Sequence, residues 1–257
     1  MSERLPVTLL VGTRNAGGEL RGCLESCAGW VSEIVVVDME SEDDTRAIAE
    51  EFGATVVGVP AAGFVEAGRQ EGIGRASQPW VLVLDADERA GPRTRDLVAG
   101  YAARDDLAGV ELIFKNHLFG RWIRHSGYWP ETHLRLFRPE AVQWPAVVHG
   151  QPRVDGAVER SPVDPESAIE HFNYRSISEW FARNNRYTDI EASQRFAAGE
   201  RTSPSRLLLG PPRSFFVRYL LWKGFRDGPQ GLAIALLMAC YTAMLELKLA
   251  ELKRASR

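Results

Sequence analysis

An apolar run, Val81-Leu82-Val83-Leu84, ends abruptly in Asp85-Ala86-Asp87-Glu88. A short β-branched stretch of this kind reads as a buried strand. Side chains alternate in extended backbone, so carboxylates two residues apart can point the same way. In parallel α/β sheets, ligands collect at the carboxyl ends of the strands. Two hard oxygen donors there suit Mn2+ or Mg2+, which also draws in substrate phosphates. The chemistry implied is work on a nucleotide diphosphate, and the plainer reading is a solvated acidic turn. Three further places fit the same chemistry. Thr13-Arg14-Asn15 follows the first strand, where amides and side chains meet a nucleotide or simply turn the chain. Asp38 ends the second strand, where a carboxylate can accept from a base N–H, while Ser41 and Asp43 are also ordinary helix-capping residues. Arg69, on the third helix, either brings positive charge to a diphosphate or is solvated, as most helix arginines are.

Strand and helix must alternate if these residues are to reach one edge. Strands are expected at 7–11, 33–37, 55–59 and 80–84, with helices at 17–28, 43–52 and 65–76 between them. That alternation argues for a mostly parallel sheet wound in right-handed crossovers. Beyond Asp105 the pattern becomes mixed, with strands at 109–115, 132–137 and 143–148. Between the first two of these lies a long loop, 116–131, dense in Gly, Trp, Arg and His. Ser176-x-x-Glu179 matches a capping box and opens a helix to about Ala198, with Ile177, Trp180, Phe181, Tyr187 and Ile190 on its apolar side. The expected organisation is a main domain over 1–200, a Pro-punctuated linker over 201–212, and a helical appendage over 213–257 with helices at 214–226 and 230–253.

Charge is unevenly divided: residues 1–200 carry 21 Lys and Arg against 31 Asp and Glu, and residues 201–257 carry 10 against 3. An acidic body with a basic, apolar tail suggests a tail that meets something anionic. Aromatic residues alternate with Arg218, Lys223 and Arg226, as in helices that lie in a membrane interface. The uncharged stretch 231–245 is shorter than the roughly 20 residues of a spanning helix, so lying on a membrane is favoured over crossing it. The competing reading is a hairpin that packs on its own domain or on a second copy as a homodimer. No nucleic-acid partner is expected. Cys23, Cys27 and Cys240 offer neither a disulfide framework nor metal-ligand spacing, and read as reduced packing residues of a cytoplasmic protein.

Taken together, the motifs resemble family-2 glycosyltransferases with the GT-A fold, a Rossmann-like, mostly parallel α/β sheet with a small antiparallel region. The resemblance rests on Thr13-Arg14-Asn15, Asp38-x-x-Ser41-x-Asp43-x-Thr45, Gly63-Phe64 with Arg69-Gln70, and Trp80 to Glu88. Phe119 to Glu131, Leu134 to Arg138, Val148-His149, His171-Phe172-x-Tyr174, Asn184 to Thr188 and Lys223 to Gly228 are similar to a subgroup that builds the lipopolysaccharide inner core. Met39, Gln70, Glu131 and Gly150 depart from the usual pattern.

The resemblance implies inverting transfer of a sugar, a hexose such as glucose, from a UDP-sugar or similar donor to a lipid-linked saccharide acceptor. It places the protein at the cytoplasmic face of the cell membrane. It further implies nucleotide contacts by Thr13, Arg14, Asn15, Asp38, Arg69 and Asp85, and a metal held by Asp85 and Asp87, with His149 either completing the shell or bracing a loop. Such a transfer needs a base for the acceptor hydroxyl; Glu131 is the choice, and it equally reads as a surface carboxylate paired with Arg135 or Arg138. Trp122, Tyr128 and Trp129 offer faces for sugar rings, or core packing. Two rivals remain. A nucleotidyltransferase would show a Gly-rich basic loop after the first strand, which residues 13–18 lack. A catalytically silent scaffold would have no use for Asp85, Asp87 and Glu131.

Overall fold

The computed structural model describes residues 3–61, 66–145 and 151–256. Element order is β1 (Leu5–Thr13), α1 (Gly17–Cys27), β2 (Val31–Asp38), α2 (Thr45–Glu51), β3 (Thr55–Gly58), α3 (Glu66–Ile73), β4 (Trp80–Asp85), β5 (Glu88–Arg89) and α4 (Thr94–Ala102). There follow β6 (Gly109–Leu118), β7 (Arg121–Trp122), β8 (Glu131–Phe137), β9 (Val142–Gln143), β10 (Arg153–Val154), β11 (Val158–Arg160) and β12 (Ile169–Tyr174). Three long helices close the chain: α5 (Ile177–Ala197), α6 (Pro204–Phe216) and α7 (Gly228–Ala255). The chain divides into two compact units, Met1–Lys115 with Glu131–His171, and Asn116–Pro130 with Phe172–Arg257.

The first unit is built on the sheet path β3-β2-β1-β4-β8-β6-β12-β5. β1 pairs in parallel with β2 and β4, and β2 with β3, whereas β8 runs antiparallel to both β4 and β6. The parallel strands are apolar on both faces because helices cover both. Leu9, Val11, Val36, Leu82 and Leu84 face one core layer with α1, and Leu10, Val35, Val37, Val81 and Val83 face the other. α3 lies unusually close to the sheet. A Cβ on Gly72 would stand 2.4 Å from a Leu10 methyl, and one on Gly68 would stand 2.7 Å from Val37. That close approach delivers Arg69 to the strand ends. The expected strand at 143–148 is seen only as the short β9, and its second half falls outside the described residues.

The second unit is held together by α7. Ile234 packs with Leu118 and Ile123, and Leu245 and Leu249 pack with Ala192 of α5. Three expectations change here. The stretch 204–212 is helical, not a linker. Ser203 accepts from the Arg206 N–H, and Pro204 fills the first turn, where its missing N–H costs nothing. Pro211 and Pro212 sit inside α6. The expected helix over 214–226 is instead the end of α6, a widened turn at Val217–Leu221 and a tight turn at Gly224–Asp227. Third, α5 begins at its capping box, with Ser176 accepting from Glu179 N, but buries Trp180, Asn184, Thr188 and Ala192. Ile177 and Phe181 are exposed. The polar residues of that face satisfy themselves locally: Thr188 donates to Asn184 O at 2.7 Å, and Asn184 donates to Trp180 O at 2.8 Å.

Candidate active site

Register brings the first group together. Thr13 of β1 stands beside Asp38 of β2, and Gly12 beside Asp85 of β4. Asp38, Thr13 and Asp85 therefore share the carboxyl edge of three parallel strands. Thr13 and Asp38 are buried, and the Thr13 hydroxyl has no hydrogen-bond partner among the described residues. Asp38 accepts from Ser41 N at 3.3 Å. Asn15, with φ at 49°, stitches the two strand exits together: its N–H donates to Ser41 Oγ at 2.9 Å and its carboxamide oxygen accepts from Glu42 N at 2.8 Å. Ala16 N donates to Thr45 Oγ1 and Gly17 N to Asp43. The loop after β1 is thereby fixed by the motif Ser41-x-Asp43-x-Thr45, while Arg14 is exposed.

Asp85 is held between two guanidinium groups. Arg69 donates to Oδ1 at 2.6 Å and Arg135 of β8 to Oδ2 at 3.1 Å. Burial opposes ionisation of Asp85, but the Arg69 and Arg135 charges override it and hold the carboxyl far below the usual range. Arg69 lies over the Trp144 ring at 4.8 Å and Arg135 over Phe114 at 5.0 Å, so each cation is backed by an aromatic face. Gln70, one of the departures from the usual pattern, accepts from Trp144 N at 2.7 Å.

Glu88 is one residue of the cluster that the sequence does not point to as a site residue. It is fully buried, accepts from Asp85 N at 2.9 Å, and accepts from Arg135 at 2.7 Å. Burial pushes its carboxyl up; Arg135 pulls it down, and Asp85 and Asp87 push it up again, so it ionises above the ordinary range. An acidic residue closing Asp-x-Asp was visible as a letter, but its inward direction follows from the tight return into β5.

The extended backbone stops at Asp85, and Ala86 and Asp87 form a turn. The two aspartates consequently meet different partners. Asp87 faces His171 of β12, with Nε2 3.7 Å from Oδ1. Asp87 and His171 are each about four-fifths or more buried. Among the described residues no three His, Cys, Asp or Glu side chains converge as a metal cage. Asp87 and His171 nonetheless fit a divalent ion as a mixed oxygen and imidazole pair, whereas both Asp85 oxygens are engaged by arginine. His149 lies outside the described residues.

Glu131 opens β8 with its carboxylate 3.3 Å from His133 Nε2. Arg135 donates to Asp85 and Glu88 as above, and Arg138 donates to Asp105 and to the carbonyls of Arg104 and Leu107.

Trp122, Tyr128 and Trp129 belong to the second unit. Trp122 and Trp129 meet edge to face at 5.2 Å, and the Arg124 guanidinium lies 4.2 Å over Trp122. Tyr128 packs against the Leu118–Ile234 cluster. The loop that carries them rests on the tail. Ser126 N donates to Trp222 O at 2.9 Å, Arg218 donates to Ser126 O at 2.9 Å, and buried Asp227 accepts from Arg124 N and His125 N. Gly224 is required at this junction, since a Cβ would stand 2.7 Å from Arg218 O.

Residues 8–157 match the family model described as Glycosyl transferase family 2. The lipopolysaccharide core biosynthesis glycosyltransferase LpsC of Rhizobium meliloti is 28% identical, over 93% of this chain and 92% of that protein. Among solved structures, Staphylococcus aureus TarS 1-349 in complex with UDP has a TM-score of 0.53 at 14% identity, covering 98% of this chain and 92% of that one. Glucosyl-3-phosphoglycerate synthase of Mycobacterium tuberculosis, in complex with Mn2+, UDP and glucosyl-3-phosphoglycerate, has a TM-score of 0.50 at 14% identity, covering 77% and 82%. At such identities the structural likeness establishes the GT-A fold.

Proposed function

The chain belongs to glycosyl transferase family 2 and is a nucleotide-sugar-dependent glycosyltransferase, and we propose that it moves a hexose from a UDP-sugar, with inversion, to a hydroxyl of a lipid-linked glycan of the lipopolysaccharide-core kind. The observation that carries this reading is the strand-edge cluster in which Asp38, Thr13, Asp85, Arg69 and Arg135 stand together beside Asp87 and His171. The acceptor class is supported by the likeness to LpsC over most of both chains.

Each residue then has a physical task. Asp38 and the Thr13 hydroxyl face the donor's nucleoside end, with Asn15 holding their loops in register. Arg69 and Arg135, pre-aligned by Asp85, put two fixed cations at the strand edge where a diphosphate departs. Asp87 and His171 would hold Mn2+ or Mg2+, which, when bound, supplies Lewis-acid neutralisation of the leaving diphosphate. Glu131 takes the acceptor proton, and His133 beside it steadies the carboxylate by hydrogen bonding or charge. Trp122, Tyr128 and Trp129 present rings on which sugars stack. A lipid-linked acceptor places the protein at the cytoplasmic membrane face, held there peripherally.

A stability panel of UDP-, GDP- and dTDP-sugars, with and without Mn2+, tests the donor. Ligands that bind the native state raise its unfolding midpoint. UDP-hexose is expected to give the largest shift and, with an inner-core lipid acceptor, to release UDP. A larger shift and turnover with GDP- or dTDP-sugars would overturn the donor assignment.

A further inference from the structure

The outward-facing side chains of the corner joining α6 to α7 have no task in the transfer itself. After the widened turn at Val217–Leu221 the chain passes through Lys223, in the left-handed region at φ 55°, into the tight turn at Gly224–Asp227. The corner turns outward Leu221 (63% exposed), Trp222 (47%) and Phe225 (49%), with Phe216 of α6 beside them in sequence (54%). Arg213, Lys223 and Arg226 are exposed among these apolar groups. Two other charges of the segment are committed inward. Arg218 donates to Ser126 O and lies over the Tyr128 and Trp222 rings, and Asp227 is buried under the Arg124 and His125 amides. What remains on the surface is aromatic, aliphatic and cationic, without an exposed carboxylate.

We propose that this corner, residues 213–226, is the surface that enters the headgroup layer of an anionic membrane; this deepens, and rests on, the reading that the acceptor is lipid-linked. Aromatic and aliphatic side chains gain by entering the acyl boundary while lysine and arginine meet anionic headgroups. A second copy of the chain is a poorer occupant. A two-fold interface sets a patch against itself, bringing Arg213, Lys223 and Arg226 against their own like charges. The corner is also the seat of the aromatic loop, through Ser126 on Trp222. A protein docked here therefore holds Trp122, Tyr128 and Trp129 on a backbone that is itself anchored in lipid.

Flotation of the full chain with phosphatidylcholine vesicles and with vesicles containing phosphatidylglycerol tests the assignment. Co-flotation is expected only with the anionic vesicles, and weakening with salt. The pairs Leu221→Ser with Phe225→Ser, and Lys223→Glu with Arg226→Glu, are each expected to lower partitioning by at least about tenfold. Their unfolding midpoints and their nucleotide release with a detergent-dispersed acceptor should stay near those of the parent. Undiminished flotation of both variants, absence of flotation by the parent, or a dimer that these variants dissociate would overturn the proposal. Nucleotide release without vesicle binding would sink the surface and spare the transferase reading. Vesicle binding without release from any nucleotide sugar would do the reverse.

Discussion

The strand-edge cluster and the aromatic loop, the two surfaces to which the proposed function assigns donor and sugar, are built from opposite materials. In the first unit, charged groups neutralise one another at the ends of a parallel sheet: Arg69 and Arg135 on Asp85, and Glu88 beneath. In the second, a loop of aromatic residues is pinned by backbone amides and carbonyls to the segment joining two helices. The charged cluster spans 16 residues from Arg69 to Asp85 and 50 from Asp85 to Arg135, with strands and a close-packed helix to carry it. The loop depends on contacts about a hundred residues apart along the chain, as between Ser126 and Arg218. Charge prepared in advance suits a reacting diphosphate, and flat rings on a pinned loop suit sugars.

Substitutions separate the two. The largest effect is expected from Asp87→Ala, which abolishes divalent-dependent turnover while the thermal unfolding midpoint stays nearly unchanged; a rate unaltered by both the substitution and a chelator would remove Asp87 from the metal. Glu131→Gln is expected to lower kcat by about 10²–10⁴ with donor affinity kept. Collapse of donor affinity in a calorimetric titration would make Glu131 a donor-side or structural residue instead.

Asp85→Asn breaks the charged cluster itself and should cost about 3–5 kcal/mol of stability, because buried Arg69 loses its carboxylate and Arg135 is left with Glu88. Its folded-state pKa lies below the unfolded one. The contribution of Asp85 is accordingly present above about pH 4 and is lost as pH falls toward the depressed folded value. Denaturant melts between about pH 5 and pH 2 should then show a shallower acid loss in the variant than in the parent. On the other side of the comparison, Asp227→Ala leaves the Arg124 and His125 amides without their acceptor and should cost about 1–3 kcal/mol. If the charge-cluster variant proves the milder of the two in urea melts, the contrast between the regions fails. The smallest effect, about 0.5–2 kcal/mol, is expected for Ser203→Ala, which removes the cap of α6; no change in its urea midpoint would make the cap energetically idle.

The parallel half of the sheet was legible because periodicity and burial agree there. β1, β2 and β4 are continuous apolar runs, and each predicted strand lies within two residues of its observed start. The places of Thr13, Asp38 and Asp85 at their ends were legible for the same reason: a strand exit is a fixed position. Two failures share one cause. Strand alternation puts Asp87 on the same extended face as Asp85, and the apolar pattern leaves Asn184 and Thr188 off the buried side of α5. In both cases local side-chain-to-backbone hydrogen bonding overrides a pattern argument, through Glu88 on the Asp85 N–H across the turn at Ala86–Asp87 and through i, i+4 bonds to carbonyls within the helix. Proline likewise suggested a break at 204–212, where its position after a capping serine instead opens a helix. His171 enters the sequence argument only as part of a motif, since nothing in sequence spacing brings it to Asp87.

The cysteines give the tail one more property. Cys23 and Cys27 are fully buried, and burial pushes the Cys27 thiol up to about 12 and Cys23 well above its ordinary value. Thiolates, not thiols, react, so neither is available to an alkylating dye in the folded protein. Cys240 is exposed on α7, four residues beyond Leu236 and eight beyond Leu232, both also exposed. The unmodified chain thus carries a single addressable thiol, and an environment-sensitive fluorophore attached there would report the polarity met by that stripe of α7 without any engineered cysteine.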